Sequence, residues 1–342
     1  MKPLARMTVT ATLVLAYGAA TEAHAGECKD DWPNPEHCFP DILCQQYSDY
    51  WDLRRSVVHL YGPDIGGTGV LINNASCDAD GKACGMPYLL TALHVVSGKF
   101  GKEMTPGQKI AIETEAGFTF GLEAAVCGGP TAGGAVGLTG AVVVAQSPET
   151  DLLLLKLQTS LPPELGAYFA GWCGGPVDQA VSISHPCGAP KRIAISEFGE
   201  TVLFKALHRE VYDVYWWEEG AVAGGSSGAP LFEAQTGALK GILTDTIQAG
   251  SQACSSPSNV PSQDRFTALS SILDFLPQSV DGGASCIDHF DSNEGAPVLG
   301  TVESSSYYGD GEVTQISATE QVILVHGFFA DSGSTITITI QQ

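Results

Sequence analysis

Short apolar runs rich in Val, Ile and Leu, each broken at glycine, proline or an Asn-Asn turn, fill the middle of the chain with almost no helical spacing between them. That pattern restricts the chain to an all-β architecture. The runs are Ser56–Tyr61, Gly66–Asn74, Tyr88–Val96, Lys109–Glu113, Ala141–Val144 and Asp151–Leu157, and, beyond the break at Pro162-Pro163, Ala180–Pro186, Lys191–Ile195, Val211–Trp216, Pro230–Phe232 and Leu239–Thr244. Gly101–Ala145 reads as hairpins with long turns. Two sets of strands separated near Pro162 predict two packed antiparallel β-barrels meeting near residues 160–175. Only Leu269–Leu276 carries apolar residues at helical spacing, and it predicts a short C-terminal helix.

Met1–Ala25 reads as an export signal, with Lys2 and Arg6 at a positive start, an apolar run over Met7–Ala20 and a small-residue cleavage site at Ala23-His24-Ala25. A secreted chain beginning near Gly26 is expected, because the run is too short to cross a bilayer. Ten cysteines, an even number, fit an oxidising compartment in which all of them pair. Neither Cys-x-x-Cys nor His-x-x-x-His spacing occurs, and no metal or other cofactor is expected. The 38 acidic against 16 basic residues give a formal net charge of −22, which repels phosphate backbones and anionic lipids. Nucleic acid and membrane insertion are not expected, whereas peptide or protein substrates are. Gly26–Tyr50 reads as an extended arm held by disulfides. Cys77 and Cys84 flank a hydrophilic loop that lacks the later ligands of a calcium site. Residues 286–342 turn to Gly, Ser, Glu and Thr, and Gln321–Phe329 with Ser334–Ile340 predict a hairpin in a small β appendage.

Gly224-Gly225-Ser226-Ser227-Gly228-Ala229-Pro230 places serine hydroxyls where glycines leave the backbone bare. Ser227 has room there for an approaching carbonyl, and Gly225 and Ser227 offer backbone N–H groups for an oxyanion. Acyl transfer by serine also needs a base and an acid that orients it, and these can lie far away in sequence. His94 ends an apolar run and Asp151 directly precedes another. An alternative is the Gly-x-Ser-x-Gly elbow of α/β-hydrolases, with Ser226 as nucleophile and Asp245 or Asp274 and His289 downstream. It requires helices between parallel strands. A third reading is a non-catalytic binding or adhesion protein on the same scaffold, against which the complete set of three residues argues.

Thr91–His94, Asp151–Leu157 and Gly225–Pro230, in that order, resemble the trypsin/chymotrypsin-like serine proteases. Cys38–Cys44, Gly69–Asn74, Ala170-Gly171-Trp172, Ser184-His185-Pro186 and Lys191-Arg192-Ile193 resemble the bacterial lysyl endopeptidase family within that fold, over roughly Cys38–Asp288. The resemblance implies two packed six-stranded barrels over residues 26–285. It also implies a secreted endopeptidase forming an acyl-enzyme on Ser227, with His94 as base then acid, Asp151 as its partner and Gly225 and Ser227 as oxyanion donors. It implies bridges Cys38–Cys254 and Cys44–Cys127. A third family bridge is missing, since Val95 follows His94. Cys77–Cys84 and Cys173–Cys187 are the local pairs expected, which leaves Cys28–Cys286. Asp264 matches the family's pocket carboxylate that selects lysine, but Thr244 replaces a histidine, Asp245 replaces a pocket glycine, and Arg265 stands beside it. Ser226 takes the place of the aspartate that receives a newly cut amino terminus in the animal enzymes, so activity is expected without one.

Overall fold

The computed structural model describes residues 39–74, 85–173, 175–196, 201–206, 209–215, 217–246, 264–277, 280 and 286–292, with further strand backbone at 307–308, 313–318, 329–330 and 335–340. The expected export signal, Cys28, and the pairs Cys38–Cys254 and Cys77–Cys84 lie outside the described residues.

The first sheet contains β1 (Val57–Gly62), β2 (Ile65–Ile72), β3 (Tyr88–Ala92), β4 (Gly117–Phe120), β5 (Val136–Thr139), β6 (Ala141–Ser147) and β7 (Leu152–Leu157). They are ordered β5-β4-β1-β2-β3-β7-β6 and all pair antiparallel. Strand β8 (Tyr168–Phe169) stands outside both large sheets; the members of the second are β9 (Trp172–Cys173), β10 (Ala180–Ser184), β11 (Arg192–Ile195), β12 (Thr201–Ala206), β13 (Arg209–Val214), β14 (Pro230–Glu233), β15 (Leu239–Thr246), β16 (Asp264–Ala268) and β17 (Cys286–Ile287). Its main path runs β11-β10-β14-β15-β16-β13-β12. The chain is thus mostly β, with two curled antiparallel half-barrel sheets. The sheets hold seven and nine strands where six each were expected.

Alternating side chains explain why β7 is apolar over Leu152–Leu155. Leu152 and Leu154 enter a core shared with Val181, Ile183, Phe232 and Ile242 of the second sheet, whereas Leu153 and Leu155 fill the interior of the first with Phe118 and Phe120. A strand covered on both faces has no polar side. Phe266, Leu231 and Leu243 line the interior of the second sheet.

Several local expectations are corrected. Strand β3 ends at Ala92, and His94–Ser97 forms a short helix, α1. Lys109–Glu113, read as a strand, lies in helix α2 (Pro106–Thr114). A reciprocal cap starts that helix: Gln108 N–H donates to Thr105 Oγ1 at 3.3 Å and Thr105 N–H to Gln108 Oε1 at 2.9 Å, with Pro106 in the first turn. The expected arm is anchored where it is described, since Phe39, Ile42 and Tyr47 are buried and Gln45–Tyr50 forms 3₁₀ turns. Helix α3 spans Leu269–Phe275 as expected.

Cys44 pairs with Cys127. Cys173 pairs with Cys286 rather than Cys187, and so Cys28–Cys286 does not form either. The reason is register: β17 runs antiparallel to β9 with Cys286 opposite Cys173, at a Cα–Cα distance of 4.1 Å. Cys187 is itself disulfide-bonded. Strand β18 (Phe290–Asp291) pairs with β8, and Arg55 Nη1 donates to Asp291 Oδ1 at 2.8 Å. Residues 286–291 therefore join the body. Further on, β19 (Tyr307–Tyr308) pairs with β21 (Phe329–Ala330) and β20 (Val313–Ala318) with β22 (Thr335–Ile340), both parallel; residues 321–328 of the expected hairpin lie outside the described residues. The chain between paired strands is long enough for the return crossover that parallel pairing demands.

Candidate active site

The pairing of β3 with β7 sets Ala92 opposite Leu152, so the residues just beyond the end of β3 face the residue just before β7. Leu93 N–H donates to the Asp151 carbonyl at 2.9 Å, and His94 N–H to Asp151 Oδ1 at 2.9 Å. The His94 ring lies between Asp151 and Ser227. Its Nδ1 lies 2.6 Å from Asp151 Oδ2 and its Nε2 lies 2.8 Å from Ser227 Oγ. Asp151 is fully buried and sits in the left-handed region at φ 57°. An ionised carboxylate there accepts from Nδ1–H, leaving Nε2 with the lone pair that faces the serine hydroxyl.

Ser227 lies on the turn ahead of β14. Gly225 has φ 88°, and a Cβ on it would meet the Cys187 nitrogen and the His185 oxygen at 2.8 Å, so glycine alone fits. Among the described residues neither the Gly225 nor the Ser227 N–H donates to a protein acceptor. Ser226 turns the other way. Its hydroxyl is buried, 2.9 Å from Ser184 Oγ, and accepts from Ala223 N–H at 3.2 Å. His289 stacks on Tyr168 at 4.9 Å and Asp245 lies 3.8 Å from Arg265. Asp274 is exposed on helix α3, and the antiparallel sheets are not the fold that an elbow centred on Ser226 requires.

Of the residues expected at a pocket, Asp264 is buried and its Oδ2 accepts from the Trp217 indole N–H at 2.7 Å. Arg265, expected as a neutralising neighbour, lies 3.1 Å from Asp213 and 3.8 Å from Asp245. Alternation along β16 sends adjacent side chains to opposite faces. Thr244 is also buried, but its Oγ1 accepts from Arg209 Nη1 at 2.9 Å, which groups it with the support of Asp151. Arg209 Nη1 donates to the Thr150 carbonyl at 3.1 Å as well, and Phe100 lies over its guanidinium at 4.6 Å. Burial pushes the Arg209 pKa down, with Asp151 and Asp245 opposing. Sequence reasoning missed both Arg209 and Trp217. Only for Trp217 is there a signal, a buried indole ahead of the serine loop that requires an acceptor.

Behind the serine turn, His185 is fully buried and its ring centroid lies 5.2 Å from that of His59. Burial pushes His59 down to about 4. Burial also lowers His185, and the nearby His59 and Lys191 add to this. Lys191 is itself lowered by burial, although Glu123 accepts from its ammonium at 2.9 Å. No helix among the described residues is long and apolar enough to cross a membrane.

A family model described as lysyl endopeptidase, C-terminal domain, matches residues 34–267. Among solved structures, the MamO protease domain from Magnetospirillum magneticum is 18% identical, covers 67% of this chain and 99% of its own, and gives a TM-score of 0.40. The Rv3671c protease from M. tuberculosis in its active form is 16% identical, with 72% and 93% covered and a TM-score of 0.41. Deg5 is 15% identical, with 70% and 95% covered and a TM-score of 0.43.

Proposed function

The chain belongs to the lysyl endopeptidase C-terminal domain family, and from that premise we propose that it is a serine endopeptidase whose nucleophile is Ser227. The observation that carries this reading is the continuous chain Asp151–His94–Ser227, with contacts of 2.6 and 2.8 Å. As Ser227 Oγ attacks the scissile carbonyl, its proton passes to His94 Nε2, and Asp151 stabilises the imidazolium. The Gly225 and Ser227 N–H groups receive the oxyanion. His94 then protonates the departing amine, and a water deprotonated by the same nitrogen releases the acyl group.

The primary pocket takes a cationic side chain. A buried carboxylate favours a counter-charge over an apolar group, and Asp264 is buried with its Oδ2 fixed by Trp217. Cleavage after lysine or arginine follows. The protein is exported by Met1–Ala25, consistent with its disulfides.

A fluorophosphonate should label Ser227 in the folded protein. Ser227→Ala should lower kcat/KM by at least ~10⁴-fold and Ser226→Ala far less. An unlabelled Ser227 would leave a non-catalytic binding protein. Digestion of a mixed peptide library should give cuts after basic residues; cuts after apolar or acidic residues would remove Asp264 from the pocket.

A further inference from the structure

An oxyanion hole made of backbone N–H groups is only as good as the peptide planes that carry them. In a trans peptide the N–H points opposite to the preceding carbonyl, so anchoring that carbonyl aims the donor. The Gly224 carbonyl accepts from Cys187 N–H at 2.6 Å, which turns the Gly225 N–H away from Cys187. The Ser226 carbonyl accepts from Ala229 N–H at 2.9 Å, which likewise turns the Ser227 N–H away from Ala229. The peptide planes on either side of the Ser226–Ser227 plane carry the Gly225 and Ser227 carbonyls, and both are held by one residue of the first sheet, so the plane that bears the Ser227 N–H is braced at both ends. Thr68 Oγ1 donates to the Gly225 carbonyl at 2.9 Å, and Thr68 N–H donates to the Ser227 carbonyl at 2.8 Å.

Thr68 is fully buried, and its hydroxyl also accepts from His185 N–H at 3.0 Å. One side chain thereby ties the serine turn to the turn that carries Cys187. On the other side of the loop, Ser184 Oγ meets Ser226 Oγ, which in turn accepts from Ala223 N–H. A carboxylate at position 226 would require a buried cation. Two neutral hydroxyls in a buried hydrogen-bonded pair need none.

We propose that Thr68 is a positioning residue for the oxyanion hole, with Ser184 as its counterpart across the turn. Together they keep the hole formed without an amino terminus entering the barrel. The proposal rests on Ser227 being the nucleophile. Fluorophosphonate labelling of the wild type comes first: an unlabelled Ser227 overturns that reading and the clasp with it.

With labelling established, Thr68→Val, Thr68→Ser and Ser184→Ala are compared by kcat, KM, thermal melting and affinity for a peptide aldehyde, whose hemiacetal oxygen occupies the hole. Thr68→Val should lower kcat roughly 10–100-fold while KM stays within about twofold. Aldehyde affinity should fall by the same factor, and Thr68→Ser should restore both. Ser184→Ala should lower kcat and aldehyde affinity in the same way, and it decides the matter alone if Thr68→Val does not fold. Folded variants with unchanged kcat and aldehyde affinity, or a loss confined to KM, overturn the proposal.

Discussion

Gly228 follows the proposed nucleophile with φ 85°, and a Cβ there would lie 2.1 Å from both the Thr68 carbonyl oxygen and Thr91 Oγ1. Backbone cannot retreat as a flexible side chain can. Gly228→Ala should therefore cost ~3 kcal/mol or more in urea unfolding, beyond any effect on turnover. The buried histidines carry a different burden. His59 holds a folded pKa of about 4 against an ordinary 6.5, so between those values the unfolded chain binds a proton that the folded chain refuses. Stability from this site is complete above pH 6.5 and is lost as the pH falls toward 4. His185 acts with the same sign. Melting temperature should drop over that window in the wild type, and His59→Gln should flatten the drop. An unchanged slope would place the acid sensitivity elsewhere.

Among the elements, β17 is two residues long, yet its covalent tie to β9 closes a sequence separation of 113. Constraining so long a loop restricts the unfolded chain heavily. Cys286→Ser should lower unfolding free energy by about 2–4 kcal/mol, read by denaturant titration under non-reducing conditions. The same element marks where local pattern stops being informative. Two residues have no periodicity, and the Cys173–Cys286 pairing follows from strand register, which spacing along the chain does not encode. Helix α2 was legible by a different rule than the one applied to it. Its apolar spacing suggests a strand, but Thr105-Pro106-Gly107-Gln108 carries the reciprocal cap that starts a helix.

For the molecule as a whole, the strand pairing of 286–291 with β8 and β9 makes the expected boundary at 285 open to test. A chain stopped after Ser292 keeps Cys286 and the Arg55–Asp291 pair. One stopped after Ser285 loses both and should melt lower, whereas equal melting would place the boundary at 285. Read without coordinates, the chain determined its class, since repeated short apolar runs leave little but stacked sheets. It also offered the residues of the proposed triad, because a bare glycine turn, a histidine and an aspartate beside apolar runs are visible as residues. Only the tertiary structure decided what surrounds them: that Ser226 turns inward, that Thr244 sits under Arg209, that Trp217 holds Asp264, and that Thr68 reaches across to the serine turn. The physical reason is that strand ends and glycines are local properties, while each of these contacts joins residues far apart in the chain through register and through packing between two sheets.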